Sequence, residues 1–138
     1  MRYLGLDLGT RTLGLALSDP LGMIASSYKI LRHEEDYDSL ISLLKEEIVN
    51  NHVEALVLGF PKNMNNSIGE RGEIALIFQK KLEEAFSLPV YMQDERLTTR
   101  QAENLLISND TSRKKRKKVI DSLAATIILQ SYLDRKDK

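Results

Sequence analysis

Two short apolar runs near the start of the chain, Tyr3–Leu8 and Leu13–Ser18, constrain the fold more than any other stretch. Each alternates with period two, and only Gly9-Thr10-Arg11-Thr12 separates them. A four-residue connection containing glycine between two such runs marks a β-hairpin. Alternation sends Leu4, Leu6 and Leu8 to one face, and Tyr3, Gly5 and Asp7 to the other. On the second run Leu13, Leu15 and Leu17 oppose Gly14, Ala16 and Ser18. One carboxylate therefore stands near a strand end on a face of mostly small residues, where an unpaired buried charge is costly. Asp7 can meet that cost in two ways. It can accept hydrogen bonds from turn amides or pair with Arg11, or it can serve as a metal- or phosphate-site acid at the edge of a cleft.

The rest of the chain alternates strand and helix patterns. Asp19-Pro20-Leu21-Gly22 reads as a turn and Met23–Leu31 as a third strand, completing a meander. The acids of the connection His33–Asp38 suit the N-terminus of a helix. That helix runs from Tyr37 to about Asn50, with Leu40, Leu43, Leu44 and Ile48 at helical spacing. Ala55–Phe60 is apolar without alternation, as a central strand buried on both faces would be. Ser67-Ile-Gly-Glu70 has capping-box spacing and opens a helix to about Phe86, although Gly69 and Gly72 weaken its first turn and can delay its onset. Pro89–Asp94 is the last strand, Thr98–Gln101 opens a short helix through Ile107, and Val119–Leu133 is a helix apolar nearly all round. Ser108–Ser112 and the six cations after it read as loosely held. Strands joined through helices are parallel with right-handed crossovers, so the expected sheet is mixed: an antiparallel meander continued by parallel strands. In such α/β sheets ligands bind beyond the C-terminal ends of the parallel strands, where Asp7, Pro61 and Asp94-Glu95 all fall.

A chain of 138 residues, 42% hydrophobic and 29% charged, suits one soluble domain over residues 1–138. It has no cysteine, which excludes disulfides and thiolate metal sites. His33 and His52 fall in a loop and at a helix end and are expected to face solvent, which argues against a zinc centre. No apolar run approaches a membrane span and none resembles a signal peptide, so the expected location is cytoplasmic. The formal net charge of zero hides the run Arg113, Lys114, Lys115, Arg116, Lys117 and Lys118. Overall charge does not point to nucleic acid, but that local patch does. As a solvated linker it would do nothing; as a phosphate contact it would make binding strongly salt-dependent.

Three acidic positions remain: Asp7, Asp94 or Glu95, and Asp121 at the start of the last helix. Carboxylates gathered from separate elements can hold Mg²⁺ or Mn²⁺ for phosphodiester hydrolysis, leaving positions for phosphate and water. Each has a plainer reading. Asp121 suits the positive end of a helix dipole, and Glu95 can pair with Arg96 or Arg100. Adjacent strand residues face opposite ways, so only one of Asp94 and Glu95 can enter the site. The small residues Gly5, Gly14 and Ala16 would admit close packing of the Ala124-Ala125 helix, bringing Asp121 towards Asp7.

Taken together the sequence resembles the YqgF family, described as Holliday-junction resolvases and as pre-16S rRNA nucleases. The resemblance rests on Gly5–Asp19, on Gly59-Phe60-Pro61 with Asn63-Met64, on Asp94–Thr99, and on Asp121–Ala125 with Ile128–Gln130. It implies a ribonuclease-H-like α/β fold, five strands in the order 3-2-1-4-5 with strand 2 antiparallel, flanked by helices. It implies a metal-dependent nuclease with Asp7, Glu95 and Asp121 as catalytic and metal-holding acids, and Mg²⁺ or Mn²⁺ as cofactor. Arg11, Arg96 and the Arg113–Lys118 run would contact nucleic acid, precursor 16S rRNA at its 5′ end for preference. A DNA-junction resolvase, acting as a symmetric dimer, and a non-catalytic RNA-binding factor are the alternatives, and monomer or homodimer stays open. Relatives by fold carry the second acid on the fourth strand, where this chain has Gly59-Phe60-Pro61. A Glu on the fifth strand starts about 9–10 Å from the first strand. The hairpin motif Asp7-Leu-Gly-Thr10 also opens ATP-binding folds of the sugar-kinase type, which close two such domains on a nucleotide.

Overall fold

The computed structural model describes residues 1–61, 69–94 and 113–136, the side chains of 113–122 excepted. The strands are β1 (Tyr3–Leu8), β2 (Thr12–Ser18), β3 (Ala25–Arg32), β4 (Ala55–Phe60) and β5 (Val90–Asp94). Between and after them lie α1 (Tyr37–Asn50), α2 (Glu70–Phe86) and α3 (Arg113–Lys136). The strands form one sheet in the order β3-β2-β1-β4-β5. β2 runs antiparallel to β1 and β3, whereas β4 and β5 run parallel to β1.

Alternation divides the sheet into two buried faces, as the hairpin pattern requires. Leu4, Leu6, Leu13 and Leu15 pack with Leu40 and Leu44 of α1 and Phe78 and Leu82 of α2. Tyr3, Ala16 and Val57 pack on the other side with Ala125, Ile128 and Leu129 of α3. β4 feeds both faces, which is why its sequence lacks alternation: Leu56 and Leu58 join the first, Ala55 and Val57 the second. The β2–β3 turn is tied by Asp19, whose carboxylate accepts from the backbone N–H groups of Leu21, Met23 and Ile24.

Helix starts follow local chemistry, with two departures from expectation. Asp36 caps α1, accepting from the Ser39 N–H at 3.2 Å. α2 begins at Glu70 on an extended Gly69 with no side-chain cap, so Glu70 is the first helical residue and not the third of a capping box. The weakened first turn does delay the onset, and Ser67 lies outside the described residues. The last helix starts at Arg113 and not at Val119, so the basic run is helical and not loose chain. Lys and Arg are good helix formers, and extending a helix already anchored downstream costs little. α3 is also buried over one broad face and not all round: Ala124, Ala125, Ile128, Leu129, Tyr132 and Leu133 are covered, while Ser131 and Asp134 are exposed. The short helix expected over 98–107 and the loop 108–112 lie outside the described residues.

Candidate active site

Asp7 sits on the α3 face of the central strand, partly buried, one residue from the strand end. Its partner on β2 is Gly14. On β4 the register pairs Leu6 with Leu58, so the next residue, Gly59, stands beside Asp7. Gly59 in turn pairs with Gln93 of β5. The row Gly14–Asp7–Gly59–Gln93 thus flanks the carboxylate with a glycine on each side. Neither adjacent strand residue in the row fills the space next to it.

Helix α3 crosses this face antiparallel to β1, and two sets of contacts fix its register. On β1 the Tyr3 ring lies 5.8 Å from Tyr132. Two residues on, a Cβ at Gly5 would stand 2.7 Å from the Leu129 Cβ and 3.1 Å from the Ala125 carbonyl oxygen. On β3 the Ala25 N–H donates to Gln130 Oε1 at 2.9 Å, and Ser27 Oγ meets Thr126 Oγ1 at 3.0 Å. Two strand residues therefore match about four helix residues, as rises of about 3.3 and 1.5 Å per residue require. One further step brings Asp7 level with the helix backbone over residues 121–125. Asp121 belongs to that turn, and the small face of Gly5 and Ala16 is what lets the helix lie so close.

The parity of β5 turns Asp94 away from the face of Asp7. Val90 and Met92 of β5 pack into the leucine-rich face, while Tyr91 stacks on Tyr132 of α3 at 5.1 Å. Asp94, paired with Phe60 and exposed, follows the parity of Met92 and does not share the face of Asp7. Glu95 and Arg96 lie outside the described residues, as do the side chains of Asp121 and the basic run. Arg11 is exposed at the hairpin turn.

The turn after Asp7 is held from two directions by groups that sequence patterning did not single out. Arg71 of α2 donates from Nη2 to the Leu8 carbonyl at 2.8 Å. The His33 backbone N–H donates to the Arg11 carbonyl at 2.9 Å, and its Nε2 lies 3.0 Å from the Gly9 carbonyl. The Glu35 N–H donates to His33 Nδ1 at 3.1 Å, so Nε2 carries the hydrogen and donates to Gly9. His33 is accordingly buried, 5% exposed, and not solvent-facing as its loop position suggested. The reason is the Gly9 carbonyl, a partner from another element that no local pattern announces. His52 is exposed, as expected.

This site offers oxygen donors. Cysteine is absent, and both His33 nitrogens are engaged. Gln93, in the row of Asp7 and on the face of Tyr91, has a buried Oε1 with no hydrogen-bond partner among the described residues. A carboxylate and an orphaned amide oxygen on one face fit a hard divalent cation and its hydration shell better than a softer metal. Among the described residues no three acids or histidines converge, two of the three candidate acids lying beyond them.

A five-stranded mixed sheet in this order, closed by a helix over an acidic central strand, defines a ribonuclease-H-like protein, a fold whose nucleases depend on divalent metal. The backbone is similar to Thermus thermophilus RuvC in complex with a Holliday junction substrate, with a TM-score of 0.61 at 17% identity over 100% of this chain and 97% of that one. A second RuvC structure from the same organism gives 0.57 at 15% identity, over 99% of this chain and 97% of the other. The chain belongs to the family described as RuvX, Holliday junction resolvase, which matches residues 1–135. A Bacillus subtilis protein named "Putative pre-16S rRNA nuclease" is 53% identical over 135 residues, 97% of this chain and 98% of its own length. A Streptococcus uberis protein of the same name is 51% identical over 137 residues, 98% and 99% of the two chains. Among the described residues no helix is long and apolar enough to cross a membrane.

Proposed function

We propose that this chain is a metal-dependent nuclease that processes the 5′ end of precursor 16S rRNA in the cytoplasm, within one domain over residues 1–138. Asp7, Glu95 and Asp121 are its catalytic acids and hold Mg²⁺ or Mn²⁺. The observation that carries the reading is Asp7 itself: a carboxylate at the C-terminal end of the central strand, between two glycines and beneath α3 at the level of residues 121–125. The parity of β5 favours Glu95 over Asp94 as the second acid. A bound ion would supply Lewis acidity toward the phosphodiester and lower the pKa of water beside it. The chain's own groups do the rest. The acids fix the donor geometry, Gln93 Oε1 is available to orient a water, and Arg11, Arg96 and residues 113–118 hold the phosphate backbone. The names of the full-length relatives favour precursor rRNA as substrate over a DNA junction.

The test is cleavage of a 5′-extended 16S precursor and of a four-way DNA junction, each with Mn²⁺, Mg²⁺ or chelator. Metal-dependent RNA cleavage, abolished by Asp7→Asn while RNA binding persists, is the expected result. Junction cleavage alone would make the chain a resolvase, and binding without cleavage in any metal would make it an RNA-binding factor. Replacing Arg113–Lys118 by glutamine should flatten the salt dependence of RNA binding by several units, at about 0.7–0.9 for each phosphate that the helix no longer neutralises. An unchanged slope would remove the basic helix from the interface.

A further inference from the structure

Arg71 is placed against the dipole of its helix. It lies in the first turn of α2, at the positive end of a 17-residue helix whose N-cap, Gly69, supplies no side-chain acceptor. It is partly buried, and its Nη2 is spent on the Leu8 carbonyl at 2.8 Å. Among the described residues the ion pairs are Lys29–Glu47 and Lys81–Asp38, and no carboxylate pairs with Arg71. Glu70 and Glu73 share its turn but are exposed and out of ion-pair reach. A half-sheltered cation at a helix N-terminus, with no counter-ion among the described residues, is poor design for stability alone. Local rules broken without compensation mark functional positions.

Its place explains the exception. The carbonyl it grips belongs to the residue after Asp7, at the strand ends where ligands of such sheets bind. With Nη2 donating to the Leu8 carbonyl, the guanidinium is tethered at the strand end and keeps further N–H donors in its planar fork, the geometry that suits phosphate oxygens. We propose that Arg71 is a phosphate-binding residue: it reaches the end of β1 from the α2 side and anchors the nucleic-acid phosphate next to the one addressed by Asp7, which approaches from the α3 side. A phosphate held by Arg71 from the α2 side would set which neighbouring phosphodiester lies over the acids. This rests on the nucleic-acid reading above and not on cleavage.

The experiment measures binding of a short 5′-extended RNA in chelator, over a salt series, for the whole chain and for Arg71→Gln and Arg71→Lys. Arg71→Gln is expected to weaken binding several-fold at each salt concentration and to lower the slope of log affinity against log salt by about 1. Arg71→Lys is expected to keep the slope and bind more weakly, because the charge remains and the fork does not. Arg71→Gln with wild-type affinity and slope would overturn the proposal, and so would a lower melting temperature with binding untouched, which is the mark of a strut to Leu8 only. The wild type gives a readout that needs no variant: the assigned Arg71 Nε–H resonance should shift on adding RNA, and a resonance that does not move refutes the contact. Because binding is read in chelator it does not depend on cleavage, and a wild type that binds RNA here but cuts in neither Mg²⁺ nor Mn²⁺ would sink the nuclease reading and leave this one standing.

Discussion

A single methyl group at Gly5 tests the close approach of helix and strand on which the site depends. In Gly5→Ala the new Cβ would meet the Leu129 Cβ at 2.7 Å and the Ala125 carbonyl oxygen at 3.1 Å, where ordinary contact begins at 3.4 Å. Neither neighbour is the end of a flexible side chain, so α3 itself must retreat, by about 0.7 Å at this point. Overpacking of this kind costs about 1–3 kcal/mol. For a chain of this size that corresponds to a fall in melting temperature of about 4–12 °C. The same retreat moves residues 121–125 away from Asp7. Displacements near 1 Å can cost about 10²-fold in rate, so metal-dependent cleavage should fall at least tenfold well below the melting temperature. RNA binding through the basic run should fall much less. Leu129→Ala should not rescue the variant, because alanine keeps the Cβ and the Ala125 carbonyl does not move. Melting by circular dichroism and single-turnover cleavage at fixed metal concentration measure both effects. A Gly5→Ala protein with wild-type melting and wild-type rate would refute the packing argument and the placement of Asp121 with it.

Two further outcomes follow from individual contacts. His33→Ala strands the Gly9 carbonyl and the Glu35 N–H. It should cost about 1–3 kcal/mol in denaturant unfolding, whereas a surface histidine would cost less than about 0.5. The Glu47 carboxyl, 9% exposed, is pushed up by burial but pulled down further by the Lys29 ammonium at 2.8 Å and by the Tyr28 hydroxyl, so it lies below its ordinary 4.5. A lowered carboxylate stabilises the fold above its unfolded pKa and loses that contribution as pH falls through the folded one. Wild-type melting temperature should therefore drop more steeply than that of Glu47→Gln below about pH 4.5. Parallel curves for the two proteins in acid would show that the ion pair carries no such linkage.

Elements whose pattern is local and strong were readable from the sequence. β1, α1 and β4 occupy the residues that alternation, helical spacing and an unbroken apolar run respectively indicate, and the two faces of the hairpin separate as leucines and small residues predict. Asp7 was legible as an exception on its face, and Gly5 as the point of helix approach. What escaped depends on partners distant in sequence. His33 has no periodic context, and its burial is decided by the Gly9 carbonyl, 24 residues earlier. Arg71 gains its meaning only when α2 delivers it to the end of β1, 63 residues away in sequence. The helical state of the basic run depends on continuity with a docked segment downstream, which a solvated run of cations does not reveal. Asp94 could not be placed by composition; the stacking of Tyr91 on Tyr132 sets the parity that turns Asp94 away from the face of Asp7, and Glu95 lies outside the described residues.

The register of α3 also bears on how the protein comes to be active. The meander β1–β2–β3 closes through neighbours in sequence, whereas the contacts that cover the Asp7 face join Tyr3 to Tyr132 and Ala25 to Gln130. Such pairings close the longest loops in the chain and form late, after the entropy of bringing the ends together has been met. A partly folded chain, with its meander built and its leucine layer collapsed, would present Asp7 on an open sheet with no helix above it. With Asp7 and a residue of α3 acting together, as proposed above, catalytic competence would arrive only with the docking of that helix, the last long-range step of folding.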